Sequence, residues 1–306
     1  MTIAIATQGP DEAMAGRAGL AAANLARTVG DLVVTGSLEL GAHRPDDAHD
    51  IAELLPAGTP VFINHLPRHT LDDTLRGVLA VARAGLTPVP HIAARRVDGS
   101  RALADFLARA AGEGGVRKVL VLGGDKADAT GPYGDAQSLL DSGQLEAAGI
   151  REVAFAAYPE GHPRIATPLL TAALDRKLAS AKAKGLGASV VTQFSFNPSR
   201  IVEFAVDLQR RAPSVPVWAG VPGPTNPASL IRFAQACGVS ASLRALSQQG
   251  FAAARLVTHT DPGEQLSAIA RHISAGATTN IVGVHIYTFG GVRRAAQWMN
   301  SVIRSR

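Results

Sequence analysis

Polar side chains are sparse in the apolar runs of this chain, and they gather where those runs end. Glu39 stands between leucines in GSLELG, Asn64 and His65 follow VFI, His91 follows PVP, and Asp125 follows VLVLGG. The stretch AAYPEGHP, residues 156–163, gathers Tyr158, Glu160 and His162 around two prolines, Pro159 and Pro163, that stiffen the backbone. Gln193 follows SVVT, and His285 and Tyr287 alternate in VGVHIY. A carboxylate such as Glu39 at the end of an apolar strand is either ion-paired structure or a general acid whose pKa is raised by desolvation. Asp125 follows two glycines that would let a ligand approach backbone amides, or it caps the next segment. Gln193 needs partners if buried, from neighbouring backbone or from a ligand with a donor–acceptor edge.

Other chemistries lack their residues. LGGDK is not followed by the GK[ST] of a phosphate loop, and no GxSxG nucleophile elbow occurs. Cys237, the single cysteine, lies in FAQACGV and reads as core packing. His65 and His69 lie four apart, but Pro67 falls between them and no cysteine partners exist, so no metal site is expected.

These side chains can act together only if their strand ends meet. The strand-like runs are DLVVTGSLEL, TPVFINHL, LTPVPHI, RKVLVLGG, REVAFAAY, ASVVTQFSF, VPVWAG and TNIVGVHIY. They alternate with helical patterns: DDAHDIAELL, TLDDTLRGVLAVARAG, SRALADFLARAAG, DAQSLLDSGQLEAAG, TPLLTAALDRKLASAKAKG, SRIVEFAVDLQRRA, NPASLIRFAQACG and VRRAAQWMNSVI. Helix stops are expected at Gly85, Gly112, Gly149, Gly185 and Gly238. Eight strand–helix units with both faces apolar predict an α/β fold, a (β/α)8 TIM barrel. Residues 1–306 are expected to form this one domain, with an extra N-terminal helix over roughly Asp11–Thr28 and a helical insertion within Ser240–Gly276 before the last strand. A doubly wound sheet is the alternative, and no GxGxxG follows a strand to support it. In a barrel, the polar residues above would share one rim.

Composition narrows the partners. Apolar residues make up 46% and aromatics only 5%, so the core must be built from Ala, Val, Leu and Ile. The net charge of +5 comes from dispersed arginines, with the doublets Arg95-Arg96, Arg210-Arg211 and Arg293-Arg294 far apart. That pattern fits an anionic small molecule and not a nucleic-acid backbone, which needs a concentrated basic face. One cysteine suits a reducing compartment, and neither a secretory signal nor a membrane-spanning run is visible, so a soluble, cytoplasmic protein is expected. The outer helices are apolar enough for a homo-oligomer, although no heptad seam stands out.

In this order, SLELGAHRP, PVPHIAAR, LGGD, AAYPEGHP, VVTQFSFN and HIYTF make the chain similar to the methylenetetrahydrofolate reductase family, from about Ser37 to Trp298. That resemblance implies a flavin-dependent barrel in which NAD(P)H reduces FAD and hydride passes to 5,10-methylenetetrahydrofolate, giving the 5-methyl form. Glu39 would be the general acid that protonates the departing nitrogen. Asp125 would act beside flavin and folate. Gln193, Phe233 and Tyr287 would meet the reduced folate, Gln193 at its pterin edge. Asn64, His91, Gly124, Asp125, Tyr133, Ala156, Tyr158, His162 and Lys177 would line the FAD, with Lys177 offsetting the diphosphate charge.

The chain also departs from that pattern. Gly123 and Gly291 stand where the family has arginines, Ser229 replaces a glutamine one turn before Phe233, and LGAH replaces an aromatic–proline run after the acid. Two alternatives therefore stay open: a folate enzyme of the same fold with flavin weakened or lost, and a non-enzymatic folate-binding partner subunit.

Overall fold

A computed structural model describes residues 10–236, 239 and 262–306. Eight parallel strands close into a barrel in sequence order: β1 (Ser37–Gly41), β2 (Pro60–Asn64), β3 (Thr87–Ala93), β4 (Lys118–Leu122), β5 (Glu152–Ala157), β6 (Gly187–Thr192), β7 (Val217–Pro222) and β8 (Ile281–Tyr287). The ring shuts where β8 meets β1, with Ser37 in register with His285. The described helices are α1 (Pro10–Val34), α2 (Asp47–Ala52), α3 (Leu71–Arg83), α4 (Ser100–Gly112), α5 (Ala136–Asp141), α6 (Gln144–Ala147), α7 (Thr167–Ala183), α8 (Pro198–Arg211), α9 (Pro227–Ala236), α10 (Pro262–Ser274) and α11 (Val292–Arg304). Among the described residues no helix is long and apolar enough to cross a membrane.

Strand alternation divides the apolar residues between two cores. Leu38 and Leu40 of β1, with Val61 and Ile63 of β2, belong to the main core under the helices. Phe62, Val89, Leu120, Ala154 and Val191 form a separate inner cluster, packed by Leu122 and Trp218. At the N-terminal end of the strands, Lys118 Nζ sits 4.4 Å from the Trp218 ring centroid and 3.5 Å from Glu152. The barrel is thus filled below, and the polar residues of its inner face stand above this apolar layer.

Local chemistry sets the loops that carry the rim. Thr70 caps α3 in a reciprocal box with Asp73, worth about 1 kcal/mol. This cap fixes where the β2–α3 loop hands over to its helix. At Gly36, a Cβ would lie 2.8 Å from Val33 O and 3.0 Å from Val284 Cγ1, so only glycine allows the turn from α1 into β1.

Three sequence expectations change. The run DLVV belongs to the end of α1, where Leu32 and Val33 are buried, and β1 starts only at Ser37. The long DAQSLLDSGQLEAAG helix is two helices, broken at Gly143, whose φ is 77°. Gly112 is the last residue of α4, and the left-handed turn after it falls on Gly115. The expected insertion is described only from Pro262, as α10; residues 240–261, with Cys237 and Gly238, lie outside the described residues.

Candidate active site at the barrel mouth

A cavity of about 1300 Å³ opens at the C-terminal ends of the strands. That exceeds the usual volume for one small ligand and leaves room for two ring systems. Glu39, Asn64, His91, Gly124, Asp125, Ala156, Tyr158, His162, Lys177, Gln193, Phe233 and Tyr287 all line it. Tyr133 does not. Its ring is 4% exposed, and its hydroxyl donates to Ser100 Oγ at 3.2 Å and accepts from Gln144 Nε2 at 2.7 Å. The Pro–Tyr–Gly turn before α5 sends this ring into the core beneath α4, away from the expected cofactor.

The floor of the cavity is a row of ionisable groups on inward strand positions. Glu39 sits in the middle of β1, not at its end, with Oε1 3.7 Å from His285 Nε2. His285 is buried, and its Nδ1 lies 2.9 Å from Ser37 Oγ. A hydroxyl, an imidazole and a carboxyl therefore stand in line. His91 is also buried; its Nε2 has no hydrogen-bond partner among the described residues. Burial lowers its pKa to about 4 against the upward pull of Glu39, so the ring is neutral near pH 7. The unpaired nitrogen is itself out of reach of solvent, so the ring contributes a neutral, polar but closed patch beneath the cavity.

At the rim, Asp125 is held from a neighbouring loop. Arg96, in the 3-10 turn after β3, reaches Asp125 Oδ1 through Nε at 3.0 Å and Nη2 at 2.5 Å, while its Nη1 donates to Pro67 O at 2.8 Å. Partial burial would raise the Asp125 carboxyl, and the Arg96 guanidinium outweighs that, leaving it below the usual carboxylate range. Arg95 turns the other way and donates to Gly134 O and Lys126 O, bracing the β4–α5 loop.

The AAYPEGHP loop splits its side chains. Tyr158 and His162 face the cavity and meet edge to face at 5.1 Å, whereas Glu160 accepts a short hydrogen bond from Ser195 Oγ that ties the loop to the end of β6. Lys177 lies along the wall, its Nζ 5.1 Å from the Phe155 ring centroid. Burial, opposed by Asp135, lowers its pKa to about 8. Gln193 Oε1 accepts from Phe194 N at 3.1 Å, and its amide NH2 has no hydrogen bond among the described residues. Phe233 stacks on Phe289 at 4.9 Å, with Arg232 over the ring at 5.2 Å.

The two departures differ in consequence. No atom lies within 4 Å of a Cβ added to Gly123, so the backbone has room for a side chain there, and the guanidinium beside Asp125 is that of Arg96. At Gly291, the Arg294 guanidinium folds to 3.2 Å from where a Cβ would stand, and Arg293 pairs with Asp50. Neither of those arginines lines the cavity. Arg96, Ser37 and Phe289 are site residues that sequence reasoning missed; the Arg95-Arg96 doublet was the only visible signal.

A family model described as methylenetetrahydrofolate reductase matches residues 67–296. The chain belongs to that family. Within the reductase family's span lie His91, Asp125, Tyr158, Lys177, Gln193, Phe233 and Tyr287, while Glu39 and Asn64 precede it and reach the same cavity through β1 and β2. Among solved structures the chain is similar to 3-dehydroquinate dehydratase from Geobacillus kaustophilus HTA426, at 12% identity over 62% of this chain and 74% of that chain, with a TM-score of 0.39.

Proposed function

We propose that the protein reduces 5,10-methylenetetrahydrofolate to the 5-methyl form with hydride from NAD(P)H. The observation that carries this reading is the meeting of Glu39, Asp125 and Gln193 in one cavity of a chain from the reductase family. The cavity of about 1300 Å³ and the lysine on its wall suit a large anionic cofactor. Asn64, His91, Gly124, Ala156, Tyr158, His162 and Lys177 would hold FAD, which when bound supplies a two-electron relay between nicotinamide and folate.

The residues do the rest. Opening the imidazolidine ring of the substrate needs a proton on the departing nitrogen, and Glu39 supplies it from the cavity floor. When Ser37 Oγ–H donates to His285 Nδ1, Nε2–H faces Glu39 and orients its carboxyl, and the proton that Glu39 gives up returns from water through the open cavity. Asp125, kept ionised by Arg96, favours the positive charge that develops on the methylene-bearing nitrogen. Gln193 offers its amide NH2 to the pterin edge.

A second reading keeps the folate site and passes hydride directly from nicotinamide. The burial of Tyr133 and the lack of a cation at position 123 favour it, since both subtract from a flavin site. A visible spectrum of the purified protein separates the two. Flavin absorbance bleached by NADH and restored by methylenetetrahydrofolate supports the relay. A colourless protein that still forms 5-methyltetrahydrofolate supports direct transfer, and a protein that forms none removes both.

A further inference from the structure

We propose that Phe289 is a placeholder ring, filling a slot between Phe233 and Tyr287 that an electron-rich planar heterocycle of the pterin class enters by displacing it. The three rings form one stack. Phe289 lies 4.9 Å from Phe233 at an interplanar angle of 27°, and 6.4 Å from Tyr287 at 21°. Phe194 meets its edge at 5.2 Å. Both neighbours and Phe289 itself line the cavity. Arg232 lies over the Phe233 ring and draws on its electron density, so a face opposite the cation suits an electron-rich partner.

The backbone marks Phe289 as more than packing. Its φ is 49°, and among the described residues it alone, glycines aside, lies in the left-handed region. Gly290 follows with φ 81°. On either side the chain is pinned: Thr288 Oγ1 donates to Glu39 O at 3.1 Å, and Gly291 N donates to Thr288 O at 2.7 Å. Residues 289 and 290 can therefore turn between fixed points. A left-handed phenylalanine costs about as much as one ring stack returns. A ligand ring that makes the same stack and lets residue 289 relax is thus favoured over the protein's own ring. Thr288 also couples this turn to the strand that carries Glu39.

The inference rests on the folate reading for its ligand, and the test separates the two. In Phe289→Gly, which accepts the left-handed backbone without a ring, 5-methyltetrahydrofolate binds about five- to tenfold tighter by calorimetry, because no ring has to leave. Phe289→Asn gives a gain of the same sign. Unchanged or weaker binding in both variants overturns the placeholder and makes Phe289 a fixed platform. Fluorine NMR of wild-type protein labelled with 4-fluorophenylalanine reads the same event without removing the ring. The Phe289 resonance, assigned by its loss in Phe289→Asn, moves on adding 5-methyltetrahydrofolate. A resonance that stays in place while the folate binds overturns the placeholder and leaves the reductase reading standing. Failure of 5-methyltetrahydrofolate to bind at all overturns both.

Discussion

Glu39 can serve as the acid of this cavity only if its carboxyl gives up a proton and regains one; its side chain is part-exposed at the open cavity, within reach of water, while His285, held by Ser37, fixes its orientation. Glu39→Gln keeps the shape and loses the proton; kcat should fall by about 10²–10⁴, measured as 5-methyltetrahydrofolate formed per enzyme. Arg96→Gln frees Asp125, so its carboxyl rises toward the ordinary range and the acid limb of kcat/KM moves to higher pH. Gly123→Arg in the same background should bring that limb back, because position 123 has room for the side chain. His91 titrates near pH 4 when folded and near its ordinary value when unfolded, so the unfolded chain binds the extra proton between. Stability is therefore full above about pH 6.5 and lost as pH falls towards 4, by about 3 kcal/mol from this group alone. Urea melts at pH 7 and pH 4.5 should show this slope, and His91→Gln should flatten it.

The helices and strands place these groups with little freedom to spare. In β7, a Cβ on Gly220 would come within 2.1 Å of Thr192 O, and Gly220 N already donates to Thr192 Oγ1 at 2.8 Å. Gly220→Ala should wedge β6 from β7 and cost more than about 2 kcal/mol in a urea melt, with Gln193 displaced from the cavity. Much of this arrangement was legible in the sequence. Apolar runs ending in Asn64, His91, Asp125, Tyr158 and Gln193 announced strands whose C-terminal ends share a rim, because a parallel barrel leaves no other place for them. What escaped reading was non-local. Leu32 and Val33 read as the start of a strand, and their burial in the main core makes them part of the last turn of α1. Tyr133 sits in a polar, glycine-flanked stretch that looks exposed, yet Ser100 and Gln144 draw its hydroxyl inward. Arg96 looked like surface charge, since nothing in its neighbourhood of the chain indicates a partner in the next loop.

Considered as one body, the molecule is a closed ring with an apolar lower half and a wide polar mouth, and its net charge of +5 suits anionic ligands. Lys177 adds a pH dependence to that attraction. It is charged below about pH 8, so affinity for an anionic ligand such as pyrophosphate should be full there and decline as pH rises through 8; Lys177→Gln should remove the decline. The reaction proposed for this mouth is a proton-assisted reduction of a methylene-bearing folate. It is tested most directly by incubating the purified protein anaerobically with NADH or NADPH, methylenetetrahydrofolate and any flavin it retains, and measuring 5-methyltetrahydrofolate by mass spectrometry. Product from the wild-type protein, with roughly a hundredfold less from Glu39→Gln, is the predicted result. No product from the wild-type protein, or equal amounts from both, would contradict it.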